Sequence, residues 1–236
     1  MLFSEVIMKK PLTYFTKTEL ALWLSSISVI IISFLLFDRV NYLTLTASLI
    51  GVSSLIFCAK GNPAGQVLMI IFSLFYGFIS YGFSYYGEMI TYLGMTLPMA
   101  VMSLVSWIKN PYKGNKSIVA VNRVGKKEVP FIILLTLTVT VMFYFILKHF
   151  DTANLVPSTL SIATSFAAAY LTFRRSPFFA LIYAMNDIVL IVLWILATIN
   201  DISYISVIIC FVVFLVNDLY GFSCWKRMEK RQNVQH

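Results

Sequence analysis

Eight apolar runs, each about as long as a bilayer is thick, constrain this chain more than any other feature. They fall at 20–37, 43–60, 65–84, 88–108, 130–148, 153–173, 178–199 and 202–225. A helix needs about 20 mostly apolar residues to cross the hydrocarbon layer. Backbone polar groups in lipid must be satisfied within the segment, so each run is expected to be helical. Composition removes the soluble alternative. Hydrophobic residues make up 59% of the chain and charged residues 12%, against about 45–50% and about 25% in a soluble domain. A core of this size would need a charged coat that the chain lacks, and a bilayer stands in for it. The first run, Leu20 to Phe37, is long for a signal peptide and lacks a small-residue cleavage site, so it reads as a membrane helix.

Turn and charge signals separate the runs: Asp38-Arg39, Lys60-Gly61-Asn62-Pro63, Tyr86-Gly87-Glu88, the stretch 109–129, His149-Phe150-Asp151, Arg174-Arg175-Ser176-Pro177 and Asn200-Asp201. Lys and Arg alternate with these breaks. Lys9, Lys10 and Lys17 precede the first run, and Lys60 marks the second break. Lys109, Lys113, Lys116, Arg123, Lys126 and Lys127 fill the fourth, Arg174 and Arg175 the sixth, and Lys226, Arg227, Lys230 and Arg231 the tail. The odd breaks hold only Arg39 and Lys148, each near an acid. The positive-inside rule then places both termini in the cytoplasm. The net charge of +8 is spread over loops and forms no contiguous patch, which argues against nucleic acid as a partner. Leu2 to Lys10 is amphipathic and suited to the inner leaflet.

The runs divide as one, three, one and three. The segments are 1–19 (cytoplasmic start), 20–37 (an extra helix), 43–108 (a first three-helix unit), 109–129 (a cytoplasmic loop), 130–148 (a linker helix), 153–225 (a second three-helix unit) and 226–236 (a basic tail). The two units end alike, in Ser106-Trp107-Ile108-Lys109 and Cys224-Trp225-Lys226-Arg227. One linking helix makes them run in the same direction. The expected class is an all-α polytopic membrane protein with two parallel three-helix repeats, the SWEET-like arrangement, in which substrate binds between repeats near the midplane.

Ionisable residues inside a span are costly and mark cavities or partners. Asp187 and Asp218 are such residues, each preceded by asparagine, as Asn186-Asp187 and Asn217-Asp218. Tyr183, Asp187 and Trp194 share one helix face. That face offers rings to stack on a base and a carboxylate to accept from sugar hydroxyls or base N–H groups. Asn217, Tyr220 and Cys224 share a face of the last run, with Asp218 and Trp225 on the adjacent one. The first unit adds Asn62 and Gln66 at the cytoplasmic mouth, and Phe72, Tyr76, Ser80 and Phe83 along its second helix. Gly61-Asn62-Pro63-Ala64-Gly65 is not a phosphate loop of the Walker type, because no Gly-Lys-Ser/Thr follows. Trp107 and Trp225, beside basic residues, read as interfacial anchors, and Tyr81, Tyr85 and Tyr86 as an aromatic belt. Cys58, Cys210 and Cys224 form no framework, and His149 and His236 have no ligand partner at useful spacing. No cofactor and no metal are expected.

From about Tyr42 to Arg227 the sequence resembles the PnuC family of vitamin and nucleoside transporters. The resemblance rests on Ala59-Lys60-Gly61-Asn62 with Gly65, Tyr85-Tyr86-Gly87-Glu88-Met89, Pro98, Trp107, Arg174-Arg175, Asp187, Gly221 and Trp225. It implies two three-helix bundles joined by one helix and facilitated diffusion of nicotinamide riboside or a related compound, sustained by a cytosolic kinase that phosphorylates the cargo. Nicotinamide riboside members share Trp-x-x-Trp-x-x-x-Asn after the paired basic residues. Ala180, Tyr183 and Asp187 stand at those positions here. A nucleoside or deoxynucleoside is therefore expected as substrate, with nicotinamide riboside as the alternative. An intramembrane enzyme is a remote alternative, because such enzymes show acidic or His/Ser/Cys clusters, and a non-transporting subunit is a third. The expected partners are a nucleoside-like molecule and the bilayer, with self-association into a homo-oligomer left open.

Overall fold

The computed structural model describes residues 14–82, 86–199 and 201–233. The amphipathic start, Phe83, Tyr85 and Asn200 lie outside the described residues. Eight helices are long and apolar enough to span a membrane. They are α1 (Lys17–Phe37), α2 (Tyr42–Ala59), α3 (Ala64–Gly82), α4 (Tyr86–Lys109), α5 (Glu128–His149), α6 (Leu155–Phe173), α7 (Phe179–Thr198) and α8 (Ile205–Asn233). A hairpin, β1 (Pro111–Tyr112) with β2 (Asn115–Val119), lies between α4 and α5.

Local chemistry sets the boundaries. Thr16 and Glu19 form a reciprocal capping box at the start of α1, each side chain accepting from the other's backbone N–H. A wide π-type turn, Thr91–Thr96, interrupts α4 just before Pro98, whose ring cannot continue a regular hydrogen-bond ladder.

The ends of α2 and α6 share one form. After α2, Gly61 N–H donates to Cys58 O and Asn62 N–H to Phe57 O. After α6, Arg175 N–H donates to Thr172 O and Ser176 N–H to Leu171 O. Both are Schellman ends with a left-handed residue, Gly61 at φ +66 and Arg175 at φ +58. Glycine takes that conformation freely. Arg175 is held there by its own guanidinium, which donates to Ala120 O and Ser106 Oγ.

Six helices close into a ring in the order α2, α3, α4, α6, α7, α8 and back to α2. Helix α1 packs outside against α2 and α8, and α5 leans on α6. Most of the α5 surface is exposed and apolar, including Phe131, Leu134, Leu137, Val141 and Phe145, as a helix facing lipid should be. Both α2 and α6 run toward the end of the bundle that carries Lys60 and Arg174, here called the basic end.

At the basic end the stretch after the hairpin crosses between the two Schellman turns. Val119 N–H donates to Gly61 O, and Asn122 N–H donates to Arg175 O. Helix α8 continues past Trp225 to Asn233, and Gln232 holds this strap by bonding Val121 N–H and Val119 O. Residues 226–233 are thus helix, part of one packed cap with the strap.

The reading of Trp107 and Trp225 as interfacial anchors is corrected. Both are 0% exposed. Trp107 Nε1 donates to Thr172 O at the end of α6, and Trp225 Nε1 donates to Cys58 O at the end of α2. Their rings lie 5.3 Å apart, with Phe179 against Trp225 at 4.9 Å. An indole carries one donor on a large apolar body, so it suits a dry interface that offers a single carbonyl.

Candidate functional site

Inside the ring, above the tryptophan pair, lie Asp187 of α7 and Asp218 of α8. They are 4% and 5% exposed. Their carboxyl groups are neighbours and act on each other electrostatically. Asp187 Oδ2 has no hydrogen-bond partner among the described residues. The ion pairs of the described residues, Lys60–Glu19, Arg123–Glu229, Arg174–Glu128 and Lys226–Glu229, include neither aspartate. Two carboxyls without a cation are expensive in a low-dielectric interior and mark a place that receives donors or positive charge from elsewhere.

The neighbours of the pair are polar but uncharged. Tyr183, one turn before Asp187, approaches Asp218 and Thr172. Cys58 lies beside Asp218 and accepts from Gln66 Nε2 at 3.3 Å. Gly65 makes that wall, because a Cβ there would stand 2.5 Å from Cys58 Sγ and 2.8 Å from its backbone nitrogen. Toward the other end, Phe72 and Tyr76 of α3, Tyr92 of α4 and Phe214 of α8 form an aromatic wall. Their ring centroids lie 4.6 Å apart for Phe72–Tyr76, 5.1 Å for Tyr76–Tyr92 and 6.3 Å for Phe72–Phe214. Gly51 lets two of these rings approach α2, since a Cβ there would lie 2.6 Å from Phe214 and 2.9 Å from Phe72.

Of the residues expected at the site, Tyr183, Asp187 and Asp218 come together, Gln66 joins them through Cys58, and Tyr76 stands in the aromatic wall. Trp194 packs on Tyr204 at 5.0 Å, at the far end of the same apolar cluster. Asn62 lies in the turn after α2, where its Oδ1 accepts from Ala64 N–H and its Nδ2 donates to Tyr14. Asn186 turns to α6 and accepts from Ser161 and Thr164. Asn217 turns to α1 and donates to Ser26. Tyr220 lines an outer cleft with Tyr14, Glu19 and Lys60. The asparagines fail to join the pair for a simple reason: adjacent helix residues point about 100° apart, so each asparagine, though buried, faces a neighbouring helix while its aspartate faces the other aspartate. Cys58, Tyr92 and Phe214 were missed. Helical spacing from Asp218 back to Phe214 and Phe211 was the available signal for one of them.

The fold is that of a helical, eight-span membrane protein whose central ring encloses polar groups. The chain belongs to the PnuC family: the model of the nicotinamide mononucleotide transporter family matches residues 41–227. A nicotinamide riboside transporter PnuC from Neisseria mucosa is 22% identical over 227 residues, covering 94% of this chain and 85% of that protein. Its counterpart in Haemophilus influenzae is 23% identical, covering 82% and 83%. The crystal structure of a vitamin B3 transporter PnuC superposes with a TM-score of 0.79 at 20% identity, covering 92% of this chain and 94% of that one. That likeness extends to α1, which lies outside the family model.

Proposed function

We propose that this transporter moves a nucleoside-like ligand, a flat ring on a sugar, down its gradient, and that the ligand lies between the Asp187–Asp218 pair and the aromatic wall. The observation that carries this reading is the carboxyl pair, buried among neutral groups and facing rings. Sugar hydroxyls or base N–H groups can donate to the carboxyls, while a ring stacks on Tyr76, Tyr92 or Tyr183. The parallel course of α2 and α6, their matching ends and the crossed tryptophan bonds support two repeats with the site between them. The basic end faces the cytoplasm by the distribution of Lys and Arg, and a cytosolic kinase would trap the cargo.

Nicotinamide riboside is the first candidate. It is the substrate named for both relatives, and its ring is cationic. A positive ring answers two carboxyls that have no ion-pair partner, and it gains further from aromatic faces. A neutral nucleoside or deoxynucleoside is the second reading, favoured by the sequence between 180 and 187. Ala180 is buried between α7 and α8, and a Cβ at Gly221 would stand 3.7 Å from Ala180 Cβ and 3.8 Å from Ala59 Cβ. A tryptophan does not fit there, so this chain lacks one ring plate of the nicotinamide riboside pattern.

Thermal stabilisation separates the two. A ligand bound only to the native state at about a hundred times its Kd adds about 2.7 kcal/mol. The purified protein is expected to melt higher with nicotinamide riboside, and less so with uridine, thymidine or deoxyadenosine. Stabilisation by the neutral compounds alone would transfer the assignment to them.

A further inference from the structure

Helix α1 stands outside the ring and outside residues 41–227, yet it carries the most enclosed ion pair of the described residues. Glu19 Oε2 lies 2.8 Å from Lys60 Nζ, with the side chains 8% and 18% exposed. The same turn is gripped again two residues on, where Asn62 Nδ2 donates to Tyr14 OH at 2.7 Å. Lys60 also lies over the Tyr14 ring, 4.8 Å from its centroid. Glu19 is held by the capping box with Thr16, so its carboxylate is fixed before it meets Lys60. Further along, Trp23 donates to Ser53. The Glu19 and Tyr14 contacts converge on Lys60-Gly61-Asn62, the turn that sets where α3 begins.

That turn leads directly to the site. Asn62 Oδ1 caps the first turn of α3 at Ala64, Ser54 Oγ donates to Gly65 O, and Gln66 reaches Cys58 beside Asp218. A displacement of the turn moves Gln66 and opens the contact that covers Cys58. An enclosed ion pair is a poor source of stability, and its best-attested use is to fix one arrangement against others.

We propose that Tyr14 and Glu19 are positioning residues of the transport site: through Asn62 and Lys60 they hold the α2–α3 turn so that Gln66 and Cys58 close the basic side of the Asp187–Asp218 pair. The transport part of this rests on the function proposed above, whereas the closure does not.

The test uses the full chain in liposomes with two readouts. The first needs no ligand: the rate at which a membrane-impermeant maleimide alkylates Cys58, read from the Cys58 peptide by mass spectrometry. Glu19→Gln is expected to raise that rate about tenfold, the equivalent of one charge-assisted hydrogen bond. Tyr14→Phe is expected to raise it less. Lys60→Gln removes the same ion pair from its other side and is expected to raise the rate about as much, with the double change Glu19→Gln, Lys60→Gln no more open than either alone. The second readout is uptake, where Glu19→Gln is expected to raise KM about tenfold with a near-parental maximal rate, the signature of lost binding geometry. Cys58 labelling within about twofold of the parent in Glu19→Gln, or effects of Glu19→Gln and Lys60→Gln that add in full in the double change, would overturn the proposal. Absence of uptake for every ligand would defeat the proposed function, and the Cys58 rates would still decide the closure.

Discussion

Replacing Asp187 by alanine is expected to cut uptake of the transported ligand by about tenfold to a hundredfold, while the protein stays folded. The size follows from losing one hydrogen bond to a charged group, at about 1.5–3 kcal/mol. Folding survives because Asp187 has no salt bridge to leave broken and one of its oxygens has no partner. The same substitution in Asp218 should act in the same direction, and the double change should cost less than the sum, because the two carboxyls form one unit. Asp187→Asn refines the result. It keeps the shape and some acceptor capacity but removes the charge, so a cationic riboside should lose more than a neutral nucleoside. Uptake unchanged in Asp187→Ala, in a protein that melts as the parent does, would place the site elsewhere.

The second large effect concerns stability. Trp225→Ala should destabilise by about 3–5 kcal/mol, the cost of removing a fully buried aromatic side chain. By the scaling of soluble domains that is a fall in melting temperature of about 10 °C. Trp225→Phe keeps most of the ring and loses the bond to Cys58 O, a loss of about 1 kcal/mol. Trp107 stands in the same relation to Thr172 and should give the same ordering. Melting curves in detergent measure this. Trp225→Ala melting with the parent would show that the indole pair does not fasten the two halves.

The eight spans were legible because hydrocarbon demands length and apolarity, and both can be counted along the chain. Expected and observed ends agree to within a few residues, except where α8 runs on to Asn233. That extension was hidden because the last two turns are charged. Their inward face, Met228, Glu229 and Gln232, is buried against a strap that only the tertiary fold creates.

Facing was harder to read than position. In a soluble helix the apolar stripe marks the core, but in lipid both sides are apolar. Phe214 and Tyr92 therefore looked no different from rings that face the bilayer, and Trp107 and Trp225 were assigned to the interface. The acids were legible for the opposite reason. A carboxyl has no reason to be in hydrocarbon unless something meets it, and Asp187 and Asp218 met each other. The two asparagines beside them showed the limit of that argument, since each turns to a neighbouring helix, Asn186 to α6 and Asn217 to α1, although Asn217 Oδ1 has no hydrogen-bond partner among the described residues.

The charge alternation and the fold are mutually consistent. Lys60, Arg123, Arg174 and Lys226 meet around one cap, through Gly61, Val119, Arg175 and Gln232. Asp38, Glu88, Asp151 and Asp201 belong to the opposite end. An even number of spans brings Lys17, at the start of α1, and Asn233, at the end of α8, to the same basic side.

The most direct measurement is flux of labelled nicotinamide riboside and of labelled nucleosides through liposomes holding the purified protein, without ATP and at zero membrane potential. The account predicts saturable movement in both directions for a nucleoside-like compound, strongest for nicotinamide riboside, and its loss in Asp187→Ala. A folded protein that passes none of these compounds, or passes them equally well without Asp187, would contradict it.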